Sequence, residues 1–313
     1  MAKTAKIKIS VIIAVQNQQE ILPSLTADLL QTLSAVESFE IIFVDDGSTD
    51  NSWQVLQQIA EQHRNVRAIK LRTAFGESSA LEAAMETAAG EEIIYLTSRV
   101  RARAQDLVKF IDKLAEGADV VVGRRLPRRD SIINRLVSRL FNWVTNRLTG
   151  INLHDINSGV LAVRREVLEC VPFYGALNTF LPVLAFRQGY RITEETIEQL
   201  PGRFAVSLRP KDYVRRFLDL ISVLFLSKYS KKPLHFLGFP GMILAAVGAV
   251  IDIYLFFYRL FGFGGIAGRP MLLLGTVLLV IGLQMIAIGL LGEMIIFTHA
   301  RQIREYNIEE IIN

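Results

Sequence analysis

Two long apolar runs near the C-terminal end constrain this chain more than any other feature. Residues 236–258 carry one charge, Asp252, and residues 271–292 carry none. Either run is long enough to cross a hydrocarbon core of about 30 Å as a helix. A helix satisfies its own backbone polar groups, which lipid cannot do. The alternative is a helical hairpin buried in a soluble domain, but soluble core helices are rarely so uniformly apolar. The mean hydropathy of +0.32 comes largely from this last third. In front of it stand roughly 225 residues, enough for one sizeable domain with its own core.

The charges flanking the runs predict an orientation. Lys228, Lys231 and Lys232 precede the first and Arg301 and Arg304 follow the second, while only Arg259 and Arg269 lie between. The positive-inside rule then places the large domain and the C-terminus in the cytoplasm. No signal peptide is expected, because the apolar run 11–15 is far too short for one. The net charge of +4 and the basic residues near the spans favour anionic headgroups over nucleic acid, for which no motif is present. The single cysteine, Cys170, excludes an internal disulfide and a cysteine-based zinc site.

Ahead of the spans, β-rich runs at 8–15, 39–44, 66–71, 92–96 and 118–123 alternate with helical patterns at 23–33, 52–62, 78–89 and 106–114. That alternation predicts an α/β domain with a largely parallel sheet covered on both faces. Residues 132–148 read as an amphipathic basic helix, with Ile133, Leu136, Val137, Leu140, Phe141, Val144 and Leu148 on its apolar face. It packs on the domain or lies on a membrane surface. Residues 214–226 form a second such segment.

Asp45, Asp46, Gly47 and Ser48 follow the second buried strand. Ligands of open α/β sheets bind at the carboxyl ends of strands, where such carboxylates accept hydrogen bonds from a base or ribose. A plain strand-to-helix turn, with Ser48 or Asp50 capping the helix at Ser52, accounts for the same residues.

The flanking segments make a resemblance specific. SVIIAVQNQQE, IIFVDDGSTDNSW, LRTAFGESSALEAAMETAAG and YLTSR resemble family 2 glycosyltransferases of the Rossmann-like GT-A fold. GRRLPRRD, LHDINSGVLAVRREVL, FYGALNTFLPVLAFRQGYRI and KKPLHFLGFPG narrow the resemblance to the polyprenyl-phosphate glycosyltransferases, of the dolichol-phosphate-mannose synthase and bactoprenol glucosyltransferase types. It covers nearly the whole chain. It implies a GT-A domain over 1–205, juxtamembrane amphipathic helices over 206–234, and a two-helix anchor over 235–300 with spans at about 236–258 and 271–297. A cytoplasmic tail at 301–313 follows. It also implies a multi-pass protein of the inner cell membrane, transferring sugar from a nucleotide sugar to a polyprenyl phosphate. Membrane lipids and a second copy or an active paralogue are the further partners expected.

By this resemblance Asp45, Asp46, Gly47, Ser48, Phe75 and Gly76 bind nucleotide, Asp155 is the candidate catalytic acid residue, and Arg164 and Arg165 face the lipid phosphate; Arg124 and Arg125, after the fifth strand, are expected to join them there. Mg²⁺ or Mn²⁺ is usual in the family, held by a D-x-D-type turn after the fourth strand. Here that turn is Thr97-Ser98-Arg99-Val100-Arg101, so no metal ligands are assigned. A guanidinium cannot ligate a cation but can pair with a diphosphate, which makes Arg99 a candidate catalytic residue. Leu161, Ala74, the run 176–179 and Ser207-Leu208-Arg209 also depart from the family pattern. Arg99, Arg101, Arg103, Arg124, Arg125, Arg128 and Arg129 are expected to crowd one rim as a phosphate or lipid surface, or to be a solvated face. Asp252 is expected to pair with Arg259 or an arginine of another subunit, and Glu293 to be structural. Two function classes stay open: an active transferase, and a silent relative that binds nucleotide or lipid or partners an active enzyme.

Overall fold

The computed structural model describes residues 7–97, 102–128, 132–170, 180–200, 233–262, 264–265 and 270–299. The chain divides into two compact units, Met1–Val223 and Leu224–Asn313. The expected juxtamembrane helices, the tail and Arg99, Arg101 and Arg129 lie outside the described residues.

The first unit is built on a seven-stranded sheet of order β3-β2-β1-β4-β6-β5-β7. Its strands are β1 (Ile9–Val15), β2 (Phe39–Asp45), β3 (Val66–Lys70), β4 (Glu92–Leu96), β5 (Val120–Arg125), β6 (Val160–Arg164) and β7 (Ile192–Ile197). All pairings are parallel except those of β6, which runs antiparallel to β4 and β5. Every residue of β1 and β4 is buried, as near-continuous Val, Ile and Leu runs require when both sheet faces are covered. The covering helices are α1 (Leu22–Leu33), α2 (Ser52–Gln62), α3 (Glu77–Met85), α4 (Leu107–Ala115), α5 (Ile132–Thr149), α6 (Arg165–Cys170) and α7 (Leu181–Arg187). Leu22, Leu29 and Leu33 of α1 and Phe110 and Leu114 of α4 are fully buried in the core that also holds Ile41 and Phe43.

Three elements differ from the sequence reading. Helix α3 stops at Met85, well before residue 89. Side chains take over its last backbone groups: the Ala89 N–H donates to Glu40, the Gly90 N–H to Ser10 Oγ, and Arg165 donates to the carbonyls of Ala88 and Gly90. Gly90 lies so close to β1 that a Cβ would fall 2.5 Å from the Ser10 nitrogen. Strand β5 begins two residues late and carries Arg124 and Arg125 into the sheet. Strands β6 and β7, absent from the sequence reading, complete the sheet, and β7 is the polar edge ITEETI.

The second unit holds α8 (Pro233–Leu260) and α9 (Pro270–His299), two helices long and apolar enough to cross a membrane. Within their most apolar windows only 17% and 11% of residues are buried, so these helices present apolar faces outward rather than filling a soluble core. They pack antiparallel along glycines spaced by seven: Gly241 and Gly248 on α8, Gly275, Gly282 and Gly289 on α9. A Cβ on Gly248 would lie 2.4 Å from the Leu279 nitrogen, and one on Gly282 2.4 Å from the Ala245 nitrogen. Small residues are what let membrane helices approach this closely. Glu293 accepts from the free N–H of Leu234 at the start of α8, the structural task expected of it. The partner the structure shows for Asp252 is the Thr276 hydroxyl at 3.4 Å, not Arg259.

Candidate active site

The strand order turns at β1, whose neighbours β2 and β4 lead the chain in opposite directions. Crevices of open α/β sheets lie beyond the carboxyl ends of strands at such a point. The ends of β1, β2, β4, β5 and β7, together with the start of β6, form this edge.

At β2 the turn 45–50 is locked to the loop after β1. The Asp46 N–H donates to the Val15 carbonyl at 2.9 Å. Asn17, held at φ 53°, accepts through Oδ1 from the Thr49 and Asp50 N–H groups and the Thr49 hydroxyl. The Asn17 and Gln18 N–H groups donate in turn to Ser48 and Ser52 Oγ. Asp45 is fully buried; one oxygen accepts from the Ser48 N–H at 3.1 Å, and the other has no hydrogen-bond partner among the described residues. The Asp46 carboxylate accepts from the Phe75 N–H at 2.7 Å and from the Gly76 N–H. Gly47 sits at φ +66° with Ala74 against it: a Cβ there would fall 2.4 Å from the Ala74 nitrogen. The structure thus brings Asp45, Asp46, Gly47, Ser48, Phe75 and Gly76 together. The two carboxylates brace the turn and the entry to α3 from within, and Phe75 stands exposed beside them.

A second cluster forms where β5 ends. Arg125 reaches Asp155 through Nε at 2.7 Å and Nη2 at 3.0 Å, a bidentate pair. Arg128 Nη2 donates to the same carboxylate at 2.5 Å and also to Ser138 Oγ. The Asp155 N–H donates to Glu194 on β7 at 3.1 Å, and the same glutamate pairs with His154 Nδ1 at 2.7 Å. Helix α5 holds this loop with its polar side: Asn146 donates to the Leu153 carbonyl and Asn142 to that of His154. Asp155 is 2% exposed and shared by two guanidiniums, a geometry that fits an anchor for basic side chains better than a free proton acceptor.

Arg164 and Arg165 do not reach this edge. Because β6 is antiparallel, its end lies at the opposite edge, beside the starts of β4 and β5. There Arg164 donates to the Leu114 and Ala118 carbonyls and faces Asp119 at 3.5 Å, while Arg165 closes the turn after α3. The expected rim of arginines also changes character. Arg103 pairs with Glu198 at 3.0 Å, and Arg125 and Arg128 pair with Asp155. Sequence reasoning missed Asn17, Glu194 and the asparagines of α5. A polar stripe on an otherwise apolar helix was the available signal for the last.

Among the described residues no three His, Cys, Asp or Glu side chains converge as cation ligands. The sequence after β4 supplies hydroxyls and guanidiniums where a hard cation prefers carboxylate oxygens. By sequence, residues 97–101 offer no carboxylate to a divalent ion, and no chemical step is assigned to one.

Comparison with known proteins bears on this geometry. The chain is 31% identical to an undecaprenyl-phosphate 4-deoxy-4-formamido-L-arabinose transferase of Yersinia enterocolitica, over 100% of this chain and 96% of that protein. It is 29% identical to a dodecaprenyl-phosphate galacturonate synthase of Rhizobium johnstonii, over 94% of this chain and 89% of that one. Among solved structures, the glucosyl-3-phosphoglycerate synthase of Mycobacterium tuberculosis in complex with Mn²⁺, uridine diphosphate and phosphoglyceric acid superposes with a TM-score of 0.55. At 20% identity, over 71% of this chain and 78% of that one, it shows a shared GT-A fold. Residues 10–172 match the model of glycosyl transferase family 2, and with relatives aligned along its whole length, this chain belongs to that family.

Proposed function

We propose that this chain is a membrane-anchored glycosyltransferase that moves a sugar from a nucleoside-diphosphate sugar to a polyprenyl phosphate at the cytoplasmic face of the cell membrane. The observation that carries this reading is the end-to-end alignment with prenyl-phosphate sugar transferases, apolar helix pair included. In the reaction a phosphate oxygen of the acceptor bonds to the anomeric carbon. The bond from that carbon to the diphosphate breaks, and the nucleoside diphosphate leaves with the electron pair.

The nucleoside belongs against the turn 45–48 and Phe75–Gly76, whose backbone the two aspartates hold in place. Arg99, outside the described residues, follows β4 by sequence and supplies positive charge to the diphosphate. The Arg125–Asp155–Arg128 cluster stands on the same sheet edge and offers two guanidiniums toward a phosphate; Asp155 acts as its positioning residue. Arg164 and Arg165 have no part in this scheme.

One observation favours a second reading, a silent relative that only binds. Residues 97–101 carry no carboxylate where the resemblance implies two. Mass spectrometry of polyprenyl phosphates incubated with the full chain and a panel of nucleotide sugars, with and without EDTA, decides between them. A glycosylated lipid that forms in EDTA supports transfer with arginine in place of the metal. No product with any donor, while nucleotide still binds, supports the silent relative.

A further inference from the structure

The loop 150–159 between α5 and β6 contains neither helix nor strand. Backbone polar groups that no ladder or helix pairs must find other partners when water is kept away. In residues 153–155 side chains supply them. The Leu153 N–H donates to Asn146 Oδ1 at 3.3 Å, and its carbonyl accepts from Asn146 Nδ2 at 2.7 Å. The His154 carbonyl accepts from Asn142. The N–H groups of His154 and Asp155 both donate to Glu194 Oε1, at 2.5 and 3.1 Å. Two helical asparagines therefore hold the loop from one direction and a single strand carboxylate holds it from another.

Glu194 is the unusual member. It sits within the edge strand β7, opposite Val122 of β5, where a glutamate ordinarily turns to water. Its side chain is only 13% exposed, and its second oxygen pairs with His154 Nδ1 at 2.7 Å. The Asp155 carboxylate is drawn toward Arg125 and Arg128, while the N–H of the same residue is tied to β7. We infer that Glu194 is a positioning residue for the acceptor phosphate: by fixing the backbone of His154 and Asp155, it sets where Arg125 and Arg128 present their guanidiniums. Guanidiniums match a phosphate only when held within about 0.5 Å of the right placement, and such precision comes from the residues behind the contact. Glu194 itself touches neither substrate in this scheme. The inference rests on the proposed binding of a polyprenyl phosphate at the Arg125–Asp155–Arg128 cluster.

Because both backbone donors converge on one oxygen, the two obvious substitutions separate. Glu194→Gln keeps an acceptor oxygen for them, and Glu194→Ala keeps none. Binding of undecaprenyl phosphate to the full chain in nanodiscs is read by native mass spectrometry, and binding of uridine and guanosine diphosphates by calorimetry. Glu194→Ala is expected to weaken the lipid phosphate on the order of tenfold to a hundredfold, as for lost hydrogen bonds to a charged group, and to leave nucleotide affinity unchanged. Glu194→Gln should bind both close to wild type. In an Arg125→Ala background, where Arg128 still pairs with Asp155, Glu194→Ala should cost clearly less than it does alone, since part of what it positions is already gone. If Glu194→Ala does not fold, Glu194→Asp, with its carboxylate one methylene short, carries the same expectations. Equal losses of lipid and nucleotide affinity, with a lowered thermal midpoint, would overturn the inference and leave Glu194 a general structural role. A Glu194→Gln protein as weak as Glu194→Ala overturns it too, because charge and not the clamp would then carry the effect. The same loss with and without Arg125 likewise overturns it. A wild-type chain that does not retain undecaprenyl phosphate refutes the acceptor reading and this inference together, whereas retention by wild type and Glu194→Ala alike refutes this inference alone.

Discussion

Asp155 shows how a side chain can be legible while its task is not. The sequence marks it as an acid near the chemistry, but its partners come from 27 to 39 positions away: Arg125, Arg128 and Glu194. Removing one partner of a buried ion pair costs about 3–5 kcal/mol, because the remaining charge is stranded. Asp155→Ala is expected to destabilise the full chain by that order in chemical denaturation, and Asp155→Asn by less. A general base lost by the same substitutions would leave stability near wild type, so the two roles separate by measurement. Arg164 and Arg165 teach the complementary lesson. Basic residues read as phosphate ligands lie at the far edge because β6 reverses direction, and strand direction leaves no local signature. Glu92, across from Arg164, gives a pH test. Burial pushes its carboxyl above the ordinary glutamate range, with Lys8 and Arg164 pulling the other way. A raised acid binds its proton more tightly folded than unfolded, so its contribution to stability falls as pH rises from about 4.3 through the folded value, by ~1.4 kcal/mol per unit of displacement. Glu92→Gln should flatten that slope in denaturation curves taken from pH 4 to 7; an unchanged slope would assign it to other groups.

Among the elements, legibility followed burial. Strands β1, β2 and β4 and helices α1, α2 and α4 were readable because uniform apolar runs and helical spacing match elements covered by the core; the edge strand β3, buried only at Val66, was read without that support. Strand β7 was not, since ITEETI sits at a polar edge, and neither was the early stop of α3, which is set by Glu40, Ser10 and Arg165 from distant segments. Helix α5 was found to within one residue at its end, but which face it buries depended on the loop it holds. The helix pair α8–α9 was legible as two spans, and the glycine stripe that joins them emerges only when both helices are seen together. Its tightness yields a stability prediction. Gly282→Val places methyl groups where Ala245 backbone already lies, so the helices must separate. Overpacking of this kind typically costs about 1–3 kcal/mol. The thermal midpoint of the detergent-solubilised chain should fall, while Leu283→Val, on an exposed position one residue away, should leave it almost unchanged. Equal midpoints for the two variants would show that the stripe does not hold the pair together.

At the scale of the whole molecule the open quantity is sidedness, and charge alone argues it. Five basic residues, Lys228, Lys231, Lys232, Arg301 and Arg304, flank the outer ends of the helix pair, against Arg259 and Arg269 between the helices. Short segments with more Lys and Arg remain cytoplasmic, so the expected topology has the large unit and the C-terminus inside and the 261–269 connection outside. A nucleoside-diphosphate sugar is too highly charged to cross lipid unaided, so a domain that binds it needs to stand where such donors are present. The single cysteine makes the test simple, because Cys170 is exposed on the first unit. In spheroplasts a membrane-impermeant maleimide should leave Cys170 unmodified and label it only after lysis. In a Cys170→Ser background, Gly264→Cys between the helices should react from outside without lysis. Labelling of Cys170 in intact spheroplasts, with Gly264→Cys protected, would invert the topology and remove the catalytic unit from the cytoplasm.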